Sequence, residues 1–308
     1  MGTSSMYDGS NRSPLLPPDF NDGDGNDNDN NPIPPNTPDQ KEENNDSGEK
    51  DQPEKENPSE KPSEKEDLAP EELSSQTPQY SSWTSAKNSM SKYASGKGGQ
   101  NAKGNAVSDY VKSRGGSVNA AKSAKSAKSA IKTTINIGTF FNDVSKKGVN
   151  QVLEEYQIPI EGRKPKEILN DIVNILAPTP DINDDSVARK ALINTMSIIY
   201  EKFDDEKQDI SLLDSFDSDV SKMLITKYIE TFIYERLIHD LGSRIERKAE
   251  NSNTAAKLEK ELKDYIETKV STTLKDKPLS MINSQTKNVH VLVEGLYQQC
   301  YKVLEDQL

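Results

Sequence analysis

The 308-residue sequence predicts an all-α fold: a helical bundle or array of about six helices, preceded by a long disordered N-terminal region. Three observations predict it. Apolar residues in the C-terminal part recur three and four positions apart, the spacing of a helix face buried against other helices. No segment alternates apolar and polar residues as a half-buried strand does. The apolar residues are also unevenly distributed, since residues 1–80 contain 11 of them and residues 136–308 contain 68.

The N-terminal region is defined by its composition. Residues 1–80 carry 20 acids and 6 bases and hold 12 of the 17 prolines. Such a segment buries too little apolar surface to offset the entropy cost of folding. Residues 1–20 form an N-terminal tip, in which a few apolar side chains lie among Gly, Ser and Pro. Residues 21–78 are rich in Asn, Asp, Glu, Lys and Pro, which predicts a disordered acidic tether.

Two further segments follow the tether. Residues 79–135 carry ten bases and one acid and form a basic Ser/Ala/Lys segment that ends in a helix. Ser117 is expected to cap that helix, because it follows two glycines and precedes three Ala-Lys-Ser triplets. A three-residue step advances about 300° around a helix, so the alanines stay on one face and the lysines on another. Residues 136–308 form the helical domain.

The first helices of this domain are marked by apolar spacing and by helix-breaking residues. Residues 133–156 are expected to be helical, with Gly138 and Gly148 as breaks. Pro165 is expected as the first residue of the next helix, which ends at the two prolines after it. The buried positions expected in that helix are Ile168, Leu169, Ile172, Val173 and Leu176.

Four more helices are expected. One is capped by Asp or Ser at 184–186, and the strongest covers residues 217–241 with Gly242 as its C-cap. A charged helix over 254–276 and a final helix over 285–306 complete the domain. The positions expected to face the core are Ala188, Ala191, Leu192, Thr195, Met196, Ile199, Val220, Leu224, Tyr228, Ile229, Phe232, Ile233, Leu237, Leu241, Val289, Leu292, Val293, Leu296, Cys300, Val303 and Leu304.

Residue content excludes several classes of function. A single cysteine, Cys300, allows no disulfide framework and no zinc-binding thiolate cluster. His239 and His290 are far apart in sequence and are expected to be structural. With no visible nucleophile–base pair or metal set, the sequence predicts a non-enzymatic protein without catalytic residues, cofactor or metal. No apolar run is long enough to cross a membrane and no secretion signal is visible, which predicts a cytoplasmic protein with no membrane partner.

Several sequence motifs resemble a known family. They are MGTSS-x-Y at the start, then LLPPDF, GGS-x-x-AAK-SAKSA, PTPDINDDSVARKA and RLIHDLGSR. Together they are similar to QatB, the B component of the four-gene Qat anti-phage defence system of bacteria. The resemblance covers the extreme N-terminus and most of residues 110–245, and it brings no catalytic residues. It implies three partners in the same system: an ATPase, a QueC-like enzyme of deazaguanine chemistry and a TatD-like nuclease.

Gly2 is the most specific functional candidate in the sequence. Initiator Met is usually removed before a small residue, which exposes the Gly2 amine; an α-amino group with a pKa near ~8 is partly unprotonated at neutral pH. QueC-type enzymes use ATP to activate a deazaguanine carboxylate for attack by ammonia, and an unhindered peptide amine can replace ammonia. N-myristoylation is disfavoured because Met6 stands where Ser or Thr is required. An unmodified Gly2 is the simpler alternative. The residues expected to dock the tip on a partner are Thr3, Ser4, Ser5, Met6, Tyr7, Leu15 and Leu16.

The basic segment 83–132 supports a different function, a nucleic-acid-binding module that delivers DNA to the partner nuclease. Basic side chains contact phosphates, and aromatic rings stack on bases. The residues of this patch are Trp83, Lys87, Lys92, Tyr93, Tyr110, Lys112, Arg114, Lys122, Lys125 and Lys128. The acidic tether opposes this reading, since it can fold back on the patch or compete with a polyanion. Docking on an acidic protein partner and a simple solvated surface are the other interpretations.

Overall fold

The computed structural model describes residues 81–122, 125–177, 183–203 and 209–306, and these residues form helices and no strand. The tip and the predicted disordered tether lie outside them. The ten α-helices are α1 (Trp83–Ala94), α2 (Ala102–Ser113), α3 (Gly116–Lys122), α4 (Lys125–Lys147), α5 (Val149–Glu155), α6 (Pro165–Leu176), α7 (Asn183–Lys202), α8 (Ser218–Lys248), α9 (Ser252–Leu274) and α10 (Val289–Asp306). Two 3-10 helices, Ile210–Ser215 and Leu279–Met281, lie between them. The all-α prediction is confirmed, and the described residues form ten α-helices in place of about six.

Helix α8 is the centre of the described part of the chain. It packs against α1, α4, α7 and α9, and its apolar residues recur at the spacing expected from the sequence. Phe232 is fully buried. Its ring lies 5.7 Å from that of Tyr297, edge to face, and 6.4 Å from that of Tyr228. The core is therefore built around one long helix that neighbours contact on several sides.

The strongest sequence patterns give the right buried faces. Pro165 begins α6, and all five residues expected to be buried in that helix are buried. The six inward positions predicted for α7 are buried as well. In α8, the expected positions from Leu224 to Leu241 are buried, and Val220 is partly buried against the core. A strongly amphipathic helix leaves few alternatives for its buried side.

Three expected helix ends are wrong. Gly138 lies inside α4, and Gly242 lies inside α8, which continues to Lys248. Gly138 allows close packing, because a Cβ there would lie 1.9 Å from the carbonyl oxygen of Ile282. Ser117 is the second residue of α3, and its backbone N–H donates to Oε2 of Glu305 in α10 at 3.1 Å. A carboxylate from a distant helix thus takes the place of the expected Ser cap.

Helices α1 and α2 were not predicted. Their apolar residues are spread among Lys, Ser and Gly, so the pattern is weak, yet Met90, Val107 and Tyr110 are buried in the core. We call residues 83–114 the α1–α2 hairpin. Ser108 donates a hydrogen bond from its hydroxyl to the carbonyl of Glu305, which connects this hairpin to α10. The domain boundary expected after residue 135 falls inside α4, and both sides share one core.

Candidate functional site

The tip residues cannot be placed in the fold. Gly2 and the expected docking residues lie outside the described part of the chain, as does the side chain of Lys125. These docking residues are Thr3, Ser4, Ser5, Met6, Tyr7, Leu15 and Leu16. The described helices contain the basic and aromatic patch. They also contain charged residues that the sequence analysis did not single out.

The aromatic residues of the patch belong to the core. Tyr93 is 6% exposed, and its hydroxyl donates to the carbonyl of Leu258 at 2.8 Å. Tyr110 is 1% exposed, and Trp83 is partly buried against the core, 6.3 Å from the Tyr110 ring. Because stacking requires an open ring face, the burial of Tyr93 and Tyr110 does not favour base stacking, whereas Trp83 is only partly buried.

The basic residues of the patch differ in their exposure and in their partners. Lys92 and Lys128 are exposed, whereas Lys87 and Lys112 are half-buried. Lys122 forms an ion pair with Glu294 of α10 at 3.2 Å. Arg114 binds a carboxylate of α8 and belongs to a partly buried cluster. The patch is therefore a surface of lysines, without the interleaved aromatic rings.

Arg114 lies in a cluster of charged and aromatic residues centred on Asp240, which we call the Asp240 cluster. An Arg114 guanidinium N–H donates to Oδ2 of Asp240, and the Tyr110 hydroxyl donates to the same oxygen at 2.6 Å. The Arg114 guanidinium also lies 5.4 Å from the Trp83 ring centre. Nδ1 of His239 lies 3.3 Å from the other oxygen, Oδ1. The cluster thus joins the α1–α2 hairpin to α8.

Arg236, one helical turn before Asp240, adds a second guanidinium. It is 5% exposed, and its Nη1 atom has no hydrogen-bond partner among the described residues. Burial raises the pKa of Asp240, but His239, the Arg114 charge, Tyr110 and the Arg236 charge outweigh it, so the net shift is downward. One ionised carboxylate therefore offsets two guanidinium groups, which makes Asp240 the critical charge of the cluster.

The sequence analysis missed Asp240 and Arg236, although a signal was present. The two residues are four positions apart and flank the apolar stripe of the strongest helix. A charged pair at this spacing beside a buried stripe indicates partners supplied by another element. What the sequence did not reveal is that the partners come from the unpredicted α1–α2 hairpin.

The described helices also form surface depressions. An open groove of about 850 Å³ is lined by residues 150–160, in α5 and the turn after it. A smaller pocket of about 110 Å³ lies beside His239 and is lined by Glu235 and Lys190. Glu235 is buried, and its two oxygens accept from Asn194 at 2.7 Å and Lys190 at 2.8 Å. This carboxylate is held in structural contacts.

The described ranges also show the surroundings of the acids and of the single thiol. No set of three or more His, Cys, Asp or Glu side chains there has the geometry to hold a metal ion. Cys300 is fully buried, and burial raises the pKa of its thiol to about 12. The described part of the chain also has no helix whose length and apolar character would let it cross a membrane.

Glu230 is a buried acid of α8, and its charged neighbours are lysines and acids of α8 and α9. Burial raises its pKa to about 7, against the lowering effect of Lys227, whose Nζ lies 3.5 Å away. Glu267 adds to the rise and itself binds Lys227 at 2.6 Å. Lys227 therefore keeps a closer carboxylate partner when Glu230 is neutral.

We expect Glu230→Gln to stabilise the protein at alkaline pH. The folded pKa of about 7 lies above the unfolded value of about 4.3, so the stability that protonated Glu230 contributes is lost as the pH rises between them. In urea unfolding at pH 8, the free energy of unfolding of the variant should exceed that of wild type by about 1–3 kcal/mol. This difference should fall toward zero at pH 4.5. The exposed Glu154→Gln is the control. An equal effect of Glu230→Gln at both pH values would contradict the pKa assignment.

Comparison with known proteins identifies the family. A model of QatB, described as the Qat anti-phage system associated protein QatB, matches residues 115–304. This is more than half of the chain. The chain belongs to the QatB family. No curated protein and no solved structure matches it. Membership in the QatB family implies a role in an anti-phage defence system. The matched region begins after α2, so the α1–α2 hairpin precedes it while sharing its core.

Proposed function

We propose that the chain is a non-enzymatic adaptor and substrate subunit of a Qat defence complex, with Gly2 presented to a QueC-like partner for modification. The helical part docks the ATPase and the TatD-like nuclease of the system. The observation that carries the proposal is the division of the chain. The family match lies on the helices, whereas residues 1–80 combine an acidic, proline-bearing segment with a tip that holds most of the region's large apolar residues.

The length of the tether supports delivery of the tip to another protein. Sixty-two residues separate the tip, which ends at Phe20, from the start of α1 at Trp83. A flexible chain of this length has an r.m.s. end-to-end distance of about 39–47 Å. This is comparable with the diameter of a domain and is enough for the tip to enter a cleft on a neighbouring subunit.

The chemistry requires an amine and an activated acyl group. The Gly2 nitrogen, in its unprotonated form, attacks the carbonyl carbon of a deazaguanine carboxylate that the partner has activated with ATP. An amide bond forms, the activating group leaves and the nitrogen loses a proton. Glycine suits this role because no Cβ hinders the approach of the amine. Met6, Tyr7, Leu15 and Leu16 provide apolar contacts that hold the tip in the cleft.

Mass spectrometry of the N-terminal peptide tests this proposal. Protein co-expressed with the QueC-like partner should carry an added deazaguanine mass on Gly2, and protein expressed alone should not. Gly2→Pro should block the reaction, and Met6→Asp with Tyr7→Asp should reduce it. Replacing residues 41–70 with a Gly/Ser linker of equal length is the control, because it preserves reach. A plain Gly2 amine in a strain with intact defence would refute the substrate role.

A further inference from the structure

Three buried polar atoms in and beside the Asp240 cluster have no hydrogen-bond partner among the described residues. They are Nε of Arg114, Nη1 of Arg236 and the hydroxyl oxygen of Tyr301 in α10. Every other buried side-chain nitrogen or oxygen of the described ranges has a partner. A buried polar group without a partner costs free energy, and a bound ion or water commonly explains such a group. Three of them in one region therefore indicate a ligand.

The helix register brings Arg236 and Tyr301 to the same level of the fold. The rings of Phe232 in α8 and Tyr297 in α10 are 5.7 Å apart. About two turns further along, Asp240 and the carbonyl eight positions after Tyr297 both accept hydrogen bonds from α2. The turn between these two contacts contains Arg236 in α8 and Tyr301 in α10. Side chains four positions apart share a helix face, so both residues face the space between α8, α10 and α2.

Electrostatic effects place the same groups together. Burial raises the pKa of Tyr301, and the charges of Arg236 and Arg114 oppose this rise. The pKa of Tyr110, whose hydroxyl binds Asp240, is likewise raised by burial and by Asp240, and both guanidinium groups oppose the rise. Both arginine charges therefore act on both hydroxyl groups.

The chemistry of these groups favours an anion over a water molecule. Two guanidinium charges and the one carboxylate of Asp240 leave a net charge of +1. Guanidinium N–H groups only donate hydrogen bonds, and a Tyr hydroxyl can donate as well. An anion accepts from all three atoms and offsets the remaining charge, whereas a water molecule leaves that charge uncompensated. Because the three atoms are buried, the ligand must be small.

We propose that Arg114, Arg236 and Tyr301 bind a small inorganic anion such as chloride. The anion accepts hydrogen bonds from the Arg114 Nε–H, the Arg236 Nη1–H and the Tyr301 hydroxyl. Its ligands come from the α1–α2 hairpin, α8 and α10, so binding stabilises the contact of the hairpin with the rest of the core. The site lies in the helices and does not involve Gly2, so this inference goes beyond the substrate role.

The fluorescence of Trp83, the single tryptophan, measures binding in the full chain. The Trp83 ring centre lies 5.4 Å from the Arg114 guanidinium, so a bromide ion bound beside Arg114 should quench the emission by the heavy-atom effect. Sodium bromide replaces sodium gluconate at constant ionic strength, which keeps charge screening constant. Quenching should saturate with bromide, and chloride should reverse it. Quenching that rises linearly and does not respond to chloride is collisional, and it would overturn the proposal in favour of a bound water.

Chloride should also stabilise the folded chain. A ligand that binds only the folded state raises the folding equilibrium constant by up to about tenfold for each tenfold rise in its concentration. Urea unfolding in chloride and in gluconate, at the same ionic strength, measures this change. Gluconate is too large for a buried site. A folding equilibrium constant that is independent of chloride would contradict the proposal.

Two variants assign these responses to the site. Arg236→Met removes one buried charge at similar volume and leaves Asp240 paired with Arg114, so it should abolish the saturable quenching and the chloride stabilisation. Tyr301→Phe removes only a hydroxyl and keeps the ring. It should fold as wild type and weaken chloride binding about tenfold or more, because a hydrogen bond to a charged group is lost.

Each variant has a control on the same helix. Arg247→Met removes an exposed charge from the last turn of α8, and Tyr297→Phe removes a buried hydroxyl that already bonds to Thr134. Both should keep the chloride response of wild type, which separates binding at the site from the general effect of salts on stability. An unchanged response in Tyr301→Phe, or an equal loss in the controls, would overturn the proposal. These measurements use no partner enzyme, so their failure is distinct from failure of the substrate role.

Discussion

Asp240→Ala is expected to lower the free energy of unfolding by about 3–5 kcal/mol, because it leaves the buried Arg236 guanidinium and the half-buried Arg114 guanidinium without their counter-charge. Arg114 loses its carboxylate partner, and Tyr110 loses the acceptor for its hydroxyl. Arg236, 5% exposed, loses the carboxylate that offsets its charge. Urea unfolding followed by circular dichroism at neutral pH measures this change.

Two further variants separate the buried charge from other causes. Asp306→Ala removes the carboxylate of an exposed ion pair with Lys302 and should cost less than about 0.5 kcal/mol. Adding Arg236→Met to Asp240→Ala removes one uncompensated charge and should restore part of the loss. In wild type, the depressed pKa of Asp240 means that its contribution is present above about pH 4 and is lost as the pH falls through the folded pKa. Equal costs for Asp240→Ala and Asp306→Ala would contradict this account.

Gly138→Ala is expected to destabilise the protein by about 2–4 kcal/mol, although alanine favours helices over glycine. The added Cβ would lie 1.9 Å from the carbonyl oxygen of Ile282, and the neighbouring atom is backbone that cannot rotate away. Helix α4 and the turn after the 3-10 helix Leu279–Met281 must move apart to accept it. Thermal and urea unfolding both report this loss.

Gly295→Ala is the matched control for this substitution. Gly295 lies inside α10, and a Cβ there meets no atom within 4 Å. The change should raise the free energy of unfolding by about 0.5–1 kcal/mol, the ordinary helix-propensity gain. If both substitutions raised the free energy of unfolding, helix propensity rather than the close approach to Ile282 would determine the effect at Gly138.

The parts of the fold predictable from sequence are those that local patterns determine. Helix α6 has a proline at its start and a continuous apolar stripe, so its position and its buried face follow directly. The buried face of helix α8 is predicted correctly. Its C-terminal end is not, because Gly242 resembles a C-cap in the sequence whereas the helix continues to Lys248. Whether a glycine ends a helix or allows close packing depends on neighbours that are distant in sequence.

The candidate site was less predictable for the same reason. Trp83, Tyr93 and Tyr110 lie in a basic, serine-rich segment, whose composition is also that of a nucleic-acid-binding surface. Their burial depends on α8, α9 and α10, as the Tyr110–Asp240 hydrogen bond across 130 positions illustrates. Only the three-dimensional contacts distinguish a ring that packs in a core from a ring that stacks on a base.

The connection of the α1–α2 hairpin to the end of the chain also has a consequence for biosynthesis. The hydrogen bond between Ser108 and Glu305 spans 197 positions. At about 5–20 residues per second, a ribosome takes about 10–40 s to make the chain between them. Until α8 and then α10 have been synthesised, Met90 and Tyr110 lack the helix surfaces that later bury them. The hairpin therefore leaves the ribosome early but completes its packing last.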